Sequence, residues 1–229
     1  MHADVKPDNI MVEEPTRWTH TMPCIRLIDF SNAMRLEDVH AYHDSFDVVS
    51  LPYRAPELVY GAKFTFPIDT WAAGITLAEL FCGRPLIQPA SRGGLALQMA
   101  QLLGQPPPGL FDGSKFVDEM SILVAHTPRA LRSEQIRERL SIMLGATASQ
   151  EQQLLVDLLA QLLRYDAHSR LQPHEALRHP FLAPVVPSRW LGVVRNNQGG
   201  CLKGQDRDCV HTNQRRTEAI LHTLRKETF

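Results

Sequence analysis

Apolar positions recur with a helical period along most of the chain after residue 55. The clearest case is 149–163, where six leucines fall on one face, as in an amphipathic helix that packs on a core. Residues 67–81 are apolar on nearly all sides, which is typical of a buried helix. The same patterning predicts five further helices, at 56–60, 95–103, 133–144, 173–179 and 214–226.

The residues that flank these segments supply helix starts and stops. Gly83, followed by Pro85, ends the buried helix, and Gly145 ends the helix at 133–144. Ser149 and Gln152 have the spacing of a capping box, in which each side chain bonds the backbone N–H of the other residue. These residues predict the helix boundaries independently of the apolar pattern.

Two short apolar runs near residue 1 predict a β-hairpin. They cover 10–12 and 25–30, and the segment between them, 13–24, contains Pro15 and Pro23 and is typical of a hairpin loop. Residues 31–54 have neither a helical nor a strand period. The expected fold is therefore mainly α, in the α+β class, with one small hairpin.

Composition limits the classes of protein to which the chain can belong. The 229 residues are 44% hydrophobic with a net charge of −1, so we expect a globular protein without bulk attraction to nucleic acid or membranes. No apolar run reaches the roughly 18 residues of a membrane-spanning helix. Four cysteines favour reduced thiols, and therefore the nucleus or cytoplasm. The spacing of Cys201, Cys209 and His211 fits no zinc pattern.

Residues 2–9 read H-A-D-x-K-P-x-N and combine the side chains that phosphoryl transfer requires. Asp4 can accept the proton of an attacking hydroxyl, Lys6 can contact the transferred phosphate, and Asn9 offers an amide oxygen to Mg²⁺. Pro7 and Asp8 are turn residues, so this segment taken alone fits a surface turn equally well. The rest of the sequence has to decide between the two interpretations.

Four further motifs follow, in the order of a protein kinase. They are Asp-Phe-Ser at 29–31, Tyr-Arg-Ala-Pro-Glu at 53–57, Asp-Thr-Trp-Ala-Ala-Gly at 69–74 and Asp-Ala-His-Ser-Arg at 166–170. With them, the chain resembles the C-terminal lobe of a eukaryotic protein kinase. Lys6 and Ser50 resemble the serine/threonine class. Ala3 stands in place of the usual Arg and resembles the homeodomain-interacting, pre-mRNA-processing and dual-specificity tyrosine-regulated branch.

The resemblance implies catalytic roles for four residues. Asp4 would be the base and Lys6 the contact to the phosphate of ATP, while Asn9 and Asp29 would hold Mg²⁺. The two predicted strands support this assignment, because a hairpin places Asn9 and Asp29 at neighbouring strand ends. ATP and Mg²⁺ are therefore the expected cofactors, and protein hydroxyls the expected substrates.

The resemblance also implies structural roles. Asp69 would hydrogen-bond the backbone of the catalytic loop, although an acid at a helix N-terminus is also favoured by the helix dipole alone. Glu57 and Arg170 would form a buried ion pair, with two separate surface charges as the alternative. His2 and Phe30 would belong to the face on which the other lobe of a kinase rests.

The chain departs from the family pattern in its activation segment, 31–54. Ser31 replaces a glycine, which narrows the backbone angles available there, so we expect an effect on activation switching more than on metal binding. Asp47 stands where related kinases carry a regulatory tyrosine. Leu51 stands where the wider group has an Arg, so we expect Asp47 to lack an arginine partner.

The motifs predict a kinase C-lobe at 1–183, with an insert at 105–148 and a partly disordered tail at 184–229. The glycine-rich loop and the lysine of the kinase N-lobe are absent from these residues. One interpretation is a truncated serine/threonine kinase that is active when complete. The other is an inactive half-kinase that acts as a protein-binding scaffold. In either case, apolar groups around His2 and Phe30 would face water, which marks either a surface for a protein partner or an aggregation liability.

Overall fold

The computed structural model describes residues 1–12, 25–43 and 47–186. These residues form seven α-helices and one two-stranded sheet, which confirms the predicted mainly α fold with a small hairpin. The strands are β1 (Ile10–Val12) and β2 (Ile25–Leu27). The helices are α1 (Pro56–Tyr60), α2 (Pro67–Cys82), α3 (Arg92–Leu103), α4 (Val117–Val124), α5 (Ser133–Leu144), α6 (Gln150–Leu162) and α7 (Pro173–Ala176).

The core is built around α2, whose apolar residues are buried on several sides, as its pattern predicts. The helix contacts α6 closely at Gly74. A Cβ at this position would lie 2.9 Å from Leu163 Cδ2 and 3.1 Å from Leu162 Cβ, which is too close. Glycine therefore allows the two helices to approach one another. This close contact holds α2 against α6, and α2 carries Asp69 at its N-terminal end.

The helix ends agree with the sequence at two glycines and differ at one serine. Gly83 and Gly145 end α2 and α5 with φ of 65° and 64°, the left-handed conformation expected of a C-terminal glycine. The capping box predicted at Ser149 is wrong, because its side chain makes no capping hydrogen bond. Gln152 is buried and accepts hydrogen bonds from the backbone N and Oγ1 of Thr147 instead, at 2.5 and 2.6 Å.

Several element boundaries also differ from the prediction. Helix α3 begins at Arg92 rather than at residue 95, because Ser91 accepts a hydrogen bond from the backbone N–H of Gly94 and caps the helix. Helix α7 ends at Ala176 and continues as turns, whereas the prediction extended to residue 179. The described residues of the activation segment, 31–43 and 47–54, include the short 3₁₀ helices Leu36–Tyr42 and Leu51–Tyr53. The helix predicted at 214–226 and the loop at 13–24 lie outside the described residues.

The predicted insert contains two helices, α4 and α5, and the first of them was not predicted. Met120 and Leu140, one from each helix, are fully buried in the main core. The insert begins at a sharp turn, where Gly104 has φ 80° and a Cβ would lie 2.4 Å from Arg129 O. It is therefore an integral layer of the core. No helix in the described part of the chain is long and apolar enough to cross a membrane.

Candidate active site

The hairpin brings the two predicted metal ligands to the same end of the sheet. Strands β1 and β2 are antiparallel, with Ile10 opposite Leu27. One residue before this pair, the backbone N–H of Ile28 donates to Asn9 O at 2.9 Å. Asn9 comes immediately before β1, and Ile28 comes between β2 and Asp29. Asn9 and Asp29 are therefore at the same end of the hairpin, as the apolar runs predict.

Asp4 lies at the centre of a network of hydrogen bonds that occupies both of its carboxylate oxygens. Ser50 donates to Oδ1 from its backbone N (3.1 Å) and its Oγ (2.8 Å). Asn9 Nδ2 donates to Oδ2 (3.2 Å) and to the backbone O of Asp4 (2.8 Å), while Lys6 Nζ lies 2.9 Å from Oδ2. Lys6 also donates to Ser50 Oγ at 2.8 Å. The catalytic loop and activation segment therefore meet at one buried carboxylate.

This environment keeps Asp4 ionised. Burial alone would raise the pKa of its carboxyl, but the hydrogen bonds from Lys6 and Ser50 and the charge of Lys6 outweigh burial and lower the pKa below its usual value. A charged carboxylate can accept a hydrogen bond from a hydroxyl and orient it for attack. The arrangement therefore suits a group that positions a nucleophile.

Asp69 holds the backbone of the catalytic loop from the N-terminal turn of α2. Its Oδ2 accepts from His2 N at 2.6 Å, and its Oδ1 accepts from Ala3 N at 2.8 Å. The structure thus contains the contact that the resemblance implies. Ala3 has φ 62°, in the left-handed region that costs energy for any residue with a Cβ. The two hydrogen bonds offset this cost.

Asp29 is the other non-glycine residue with a left-handed backbone in the described ranges, with φ 59°. Such strained residues cluster at functional sites. Its carboxylate is exposed, and its Oδ1 accepts hydrogen bonds from Ser31 Oγ (2.6 Å) and Ser31 N (3.3 Å). These bonds, the one from the hydroxyl above all, lower the pKa of Asp29. The residue is therefore a charged, exposed ligand candidate.

The side chains of His2 and Phe30 contact one another between the catalytic loop and Asp29. His2 is buried, and its ring meets the Phe30 ring edge-on with centroids 4.8 Å apart. His2 Nδ1 accepts from Asp4 N at 3.3 Å, and Nε2 lies 2.9 Å from Ile28 O, so a neutral ring protonated on Nε2 satisfies both contacts. The ring ties Asp4 to the strand end that carries Asp29.

The residues present fit a magnesium ion that is bound together with a nucleotide. The described residues contain no cluster of three or more His, Cys, Asp or Glu that could hold a metal ion by itself. Magnesium in phosphoryl-transfer sites needs only one or two protein ligands, because phosphates and water supply the rest. The Asn9 amide nitrogen donates to Asp4, which leaves the Asn9 Oδ1 as a candidate oxygen ligand at the same end of the sheet as Asp29.

Asp47 has two arginine partners, so the expectation that it lacks one is wrong. Its Oδ1 lies 2.5 Å from Arg54 Nη1 and 3.1 Å from Arg92 Nη2. Arg92, the first residue of α3, also donates to Leu58 O at 2.5 Å. One of the two arginines, Arg54, therefore belongs to the activation segment itself, and the other comes from α3. The activation segment is thereby anchored to α1 and α3.

Glu57 and Arg170 form the buried ion pair that the resemblance implies. Two hydrogen bonds of 2.9 Å join Arg170 Nη1 and Nη2 to the two carboxylate oxygens, and both side chains are almost fully buried. Arg170 also lies over the ring of Trp71, with Cζ 5.3 Å from the ring centroid. This pair joins α1 to the segment that precedes α7.

The sequence did not indicate one further contact of the site. Tyr53 Oη donates to Glu79 Oε2 at 2.6 Å, and burial together with this carboxylate raises the pKa of Tyr53. The two residues lie 26 positions apart in separate elements. Helical periodicity places Glu79 on α2 but does not show which element packs against it. Their contact links the end of the activation segment to the central helix.

The face beside the site exposes a group of large apolar side chains. Phe30 is 62% exposed and Ile25 63%, and Met11 and Val12 on β1 are more than half exposed. These residues are the predicted apolar groups on the hairpin. Exposed apolar patches are associated either with interaction surfaces or with aggregation.

Comparison with known proteins identifies the class to which this fold and site belong. Residues 1–182 match the family model described as protein kinase domain, and the chain belongs to this family. Its curated relatives place it in the branch of the dual-specificity tyrosine-phosphorylation-regulated kinases, as the resemblance implies.

Two relatives illustrate the extent of the likeness. Dual specificity tyrosine-phosphorylation-regulated kinase 3 of Macaca fascicularis is 29% identical over 211 residues, which cover 82% of this chain and 34% of that protein. Dual specificity protein kinase lkh1 of Schizosaccharomyces pombe is 32% identical over 212 residues, which cover 82% of this chain and 30% of that protein. The chain thus spans about a third of the length of these relatives.

Proposed function

We propose that this chain is the catalytic C-lobe of a protein kinase that transfers the γ-phosphoryl group of ATP to a serine or threonine hydroxyl of a protein. The network around Asp4 is the observation that carries the proposal. It combines a buried ionised carboxylate, a lysine 2.9 Å away and an asparagine whose amide oxygen is left for a metal ion. Structural stability alone does not require these groups together, because burying charge costs energy.

In this mechanism Asp4 accepts a hydrogen bond from the substrate hydroxyl and then its proton. Lys6 contacts the transferred phosphate. Since Lys6 Nζ lies 2.9 Å from Asp4 Oδ2, a phosphate that it binds lies beside the attacking hydroxyl. Asn9 and Asp29 would hold Mg²⁺, which neutralises charge on the phosphates when it is bound. Asp69 keeps the catalytic loop in shape through its two backbone contacts.

We propose serine and threonine as the acceptors on the basis of Lys6 and Ser50, which are bonded to one another and to Asp4. The two relatives compared above are named dual-specificity kinases. Analysis of phosphorylated residues in a peptide library that contains serine, threonine and tyrosine in equal amounts tests this choice. Phosphotyrosine as the main product would contradict it.

The direct test of the transfer reaction uses Asp4→Asn in the native protein that contains this chain. Loss of a positioned base typically lowers the rate by about 10²–10⁴-fold. Asp8→Asn is the matched control, because Asp8 is an exposed carboxylate of the same loop. Equal phosphoryl transfer by Asp4→Asn and the wild-type protein would refute the assigned role.

An inactive scaffold is the second candidate, and the exposed apolar face around Phe30 and the hairpin favours it for residues 1–229 taken alone. The glycine-rich loop that covers ATP phosphates in this family is absent from these residues. We therefore expect the 229-residue chain alone to bind Mg²⁺-ATP only in the millimolar range or not at all. Micromolar binding in a calorimetric titration would contradict this expectation.

A further inference from the structure

Ser31 brings a hydroxyl to a position where the family pattern has glycine. This hydroxyl donates to Asp29 Oδ1 at 2.6 Å, and the backbone N–H of Ser31 donates to the same oxygen at 3.3 Å. Both bonds therefore fall on one carboxylate oxygen. The other oxygen, Oδ2, takes part in neither bond, and the side chain is exposed.

Asp29 needs such a contact, because nothing else described holds its side chain. Its backbone has φ 59°, which L-residues other than glycine rarely adopt, and its side chain is exposed rather than packed. The hydrogen bonds described for its carboxylate both come from Ser31. Without the hydroxyl, the weaker backbone bond would be left to fix the direction of the carboxylate.

The backbone angles of Ser31 alone favour an effect on activation switching, but its contact with Asp29 points to metal binding as well. We propose that Ser31 is a positioning residue for the metal site, an inference that rests on the role of Asp29 in the proposed function. The Ser31 hydroxyl fixes Asp29 so that Oδ2 is presented to Mg²⁺. Hydrogen-bond partners of a ligating carboxylate orient it, and their removal typically weakens metal binding by about 10–100-fold. The substitution of glycine by serine thus strengthens the site at the cost of backbone freedom.

The proposal predicts the order of three variants of Ser31. Ser31→Ala and Ser31→Gly both remove the hydroxyl, and we expect each to weaken Mn²⁺ binding by about 10-fold. Ser31→Thr retains the hydroxyl and should bind as the wild type does. Ser121→Ala is the matched control, since Ser121 is an exposed serine on α4 far along the chain. Mn²⁺ serves as the probe because free and bound ions are distinguished by electron paramagnetic resonance.

The titration is run on the native protein that contains this chain, with and without ATP, and Asp29→Asn is included as a separate variant. If Asp29→Asn binds Mn²⁺ as the wild type does, or if the wild-type protein binds none, the metal role in the proposed function is wrong. If Asp29→Asn weakens binding but Ser31→Ala leaves it equal or tighter, only the role of Ser31 is wrong. A tighter Ser31→Ala would show that the hydroxyl competes with the metal for Oδ1.

A second measurement needs no metal. The carboxyl carbon of Asp29 has a nuclear magnetic resonance signal that depends on the hydrogen bonds it accepts. We expect Ser31→Ala to shift this signal in the metal-free chain and Ser31→Thr to leave it near the wild-type position. An unshifted signal in Ser31→Ala would overturn the proposed contact whatever the metal affinities are.

Discussion

The buried pair of Glu57 and Arg170 gives the sharpest prediction about stability. All five N–H donors of the guanidinium have acceptors: two go to the Glu57 carboxylate, two to Arg164 O and one to Pro67 O. Glu57→Ala removes two of these acceptors and leaves the positive charge in the core with backbone carbonyls only. The variant therefore tests how far the fold depends on one ion pair.

Two estimates of the magnitude agree. Each lost hydrogen bond to a charged group is worth about 1.5–3 kcal/mol, so the loss of both is worth about 3–6 kcal/mol. Breaking a buried pair by removing one partner typically costs about 3–5 kcal/mol. Domains of this kind have a free energy of unfolding of about 5–15 kcal/mol. We therefore expect Glu57→Ala to remove a large fraction of the stability.

Urea unfolding followed by far-ultraviolet circular dichroism measures this loss. Glu138→Ala is the control, because Glu138 is exposed on α5 and its removal should change the free energy of unfolding by less than about 0.5 kcal/mol. The double variant Glu57→Met with Arg170→Met should be more stable than Glu57→Ala, since it leaves no unpaired charge. A loss below about 1 kcal/mol for Glu57→Ala, as for a surface pair, would refute the reasoning.

Three further substitutions test other contacts. Asp69→Asn replaces one carboxylate oxygen by a donor, so it should lower kcat with little change in the far-ultraviolet spectrum. For Asp157, burial raises the carboxyl pKa, but the hydrogen bond from His179 and other partners outweigh burial and lower it. A carboxyl whose pKa is lower in the folded than in the unfolded protein stabilises the fold above the unfolded pKa, and this stabilisation is lost as the pH falls through the folded pKa. Asp157→Asn should therefore flatten the fall in stability below about pH 4. Asp47→Asn breaks the pairs with Arg54 and Arg92 and should speed proteolysis of the activation segment.

Each of these has an outcome that contradicts it. Wild-type kcat in Asp69→Asn would mean that the loop keeps its shape without the carboxylate. An acid unfolding curve for Asp157→Asn that parallels the wild-type curve would mean that the contact between Asp157 and His179 does not contribute to the pH dependence of stability. Unchanged cleavage in Asp47→Asn, measured by mass spectrometry after limited trypsin treatment, would mean that the two exposed ion pairs do not order the segment.

The sequence predicted those features of the fold that depend on local periodicity. The leucine stripe of α6 and the apolar composition of α2 each specify a helix, and the glycines at 83 and 145 place two helix ends. The sequence did not predict which hydrogen-bond partner a side chain has in the folded protein. The Gln152 side chain had an apparent partner at Ser149, but it is buried against Thr147 instead. The spacing of two residues therefore does not specify a hydrogen bond.

In the candidate site, too, local motifs were predictive and contacts between distant segments were not. The motif at residues 2–9 predicted that Asp4 and Asn9 lie together, and the hairpin predicted that Asn9 and Asp29 share one end of the sheet. The expectation for Asp47 was wrong although residue 51 is a leucine, because one of its two arginine partners, Arg54, lies further along the same segment. The other partner, Arg92, comes from α3, 45 residues along the chain, and α3 packs against α1. A charge in the activation segment can therefore be neutralised by residues that no local motif reveals.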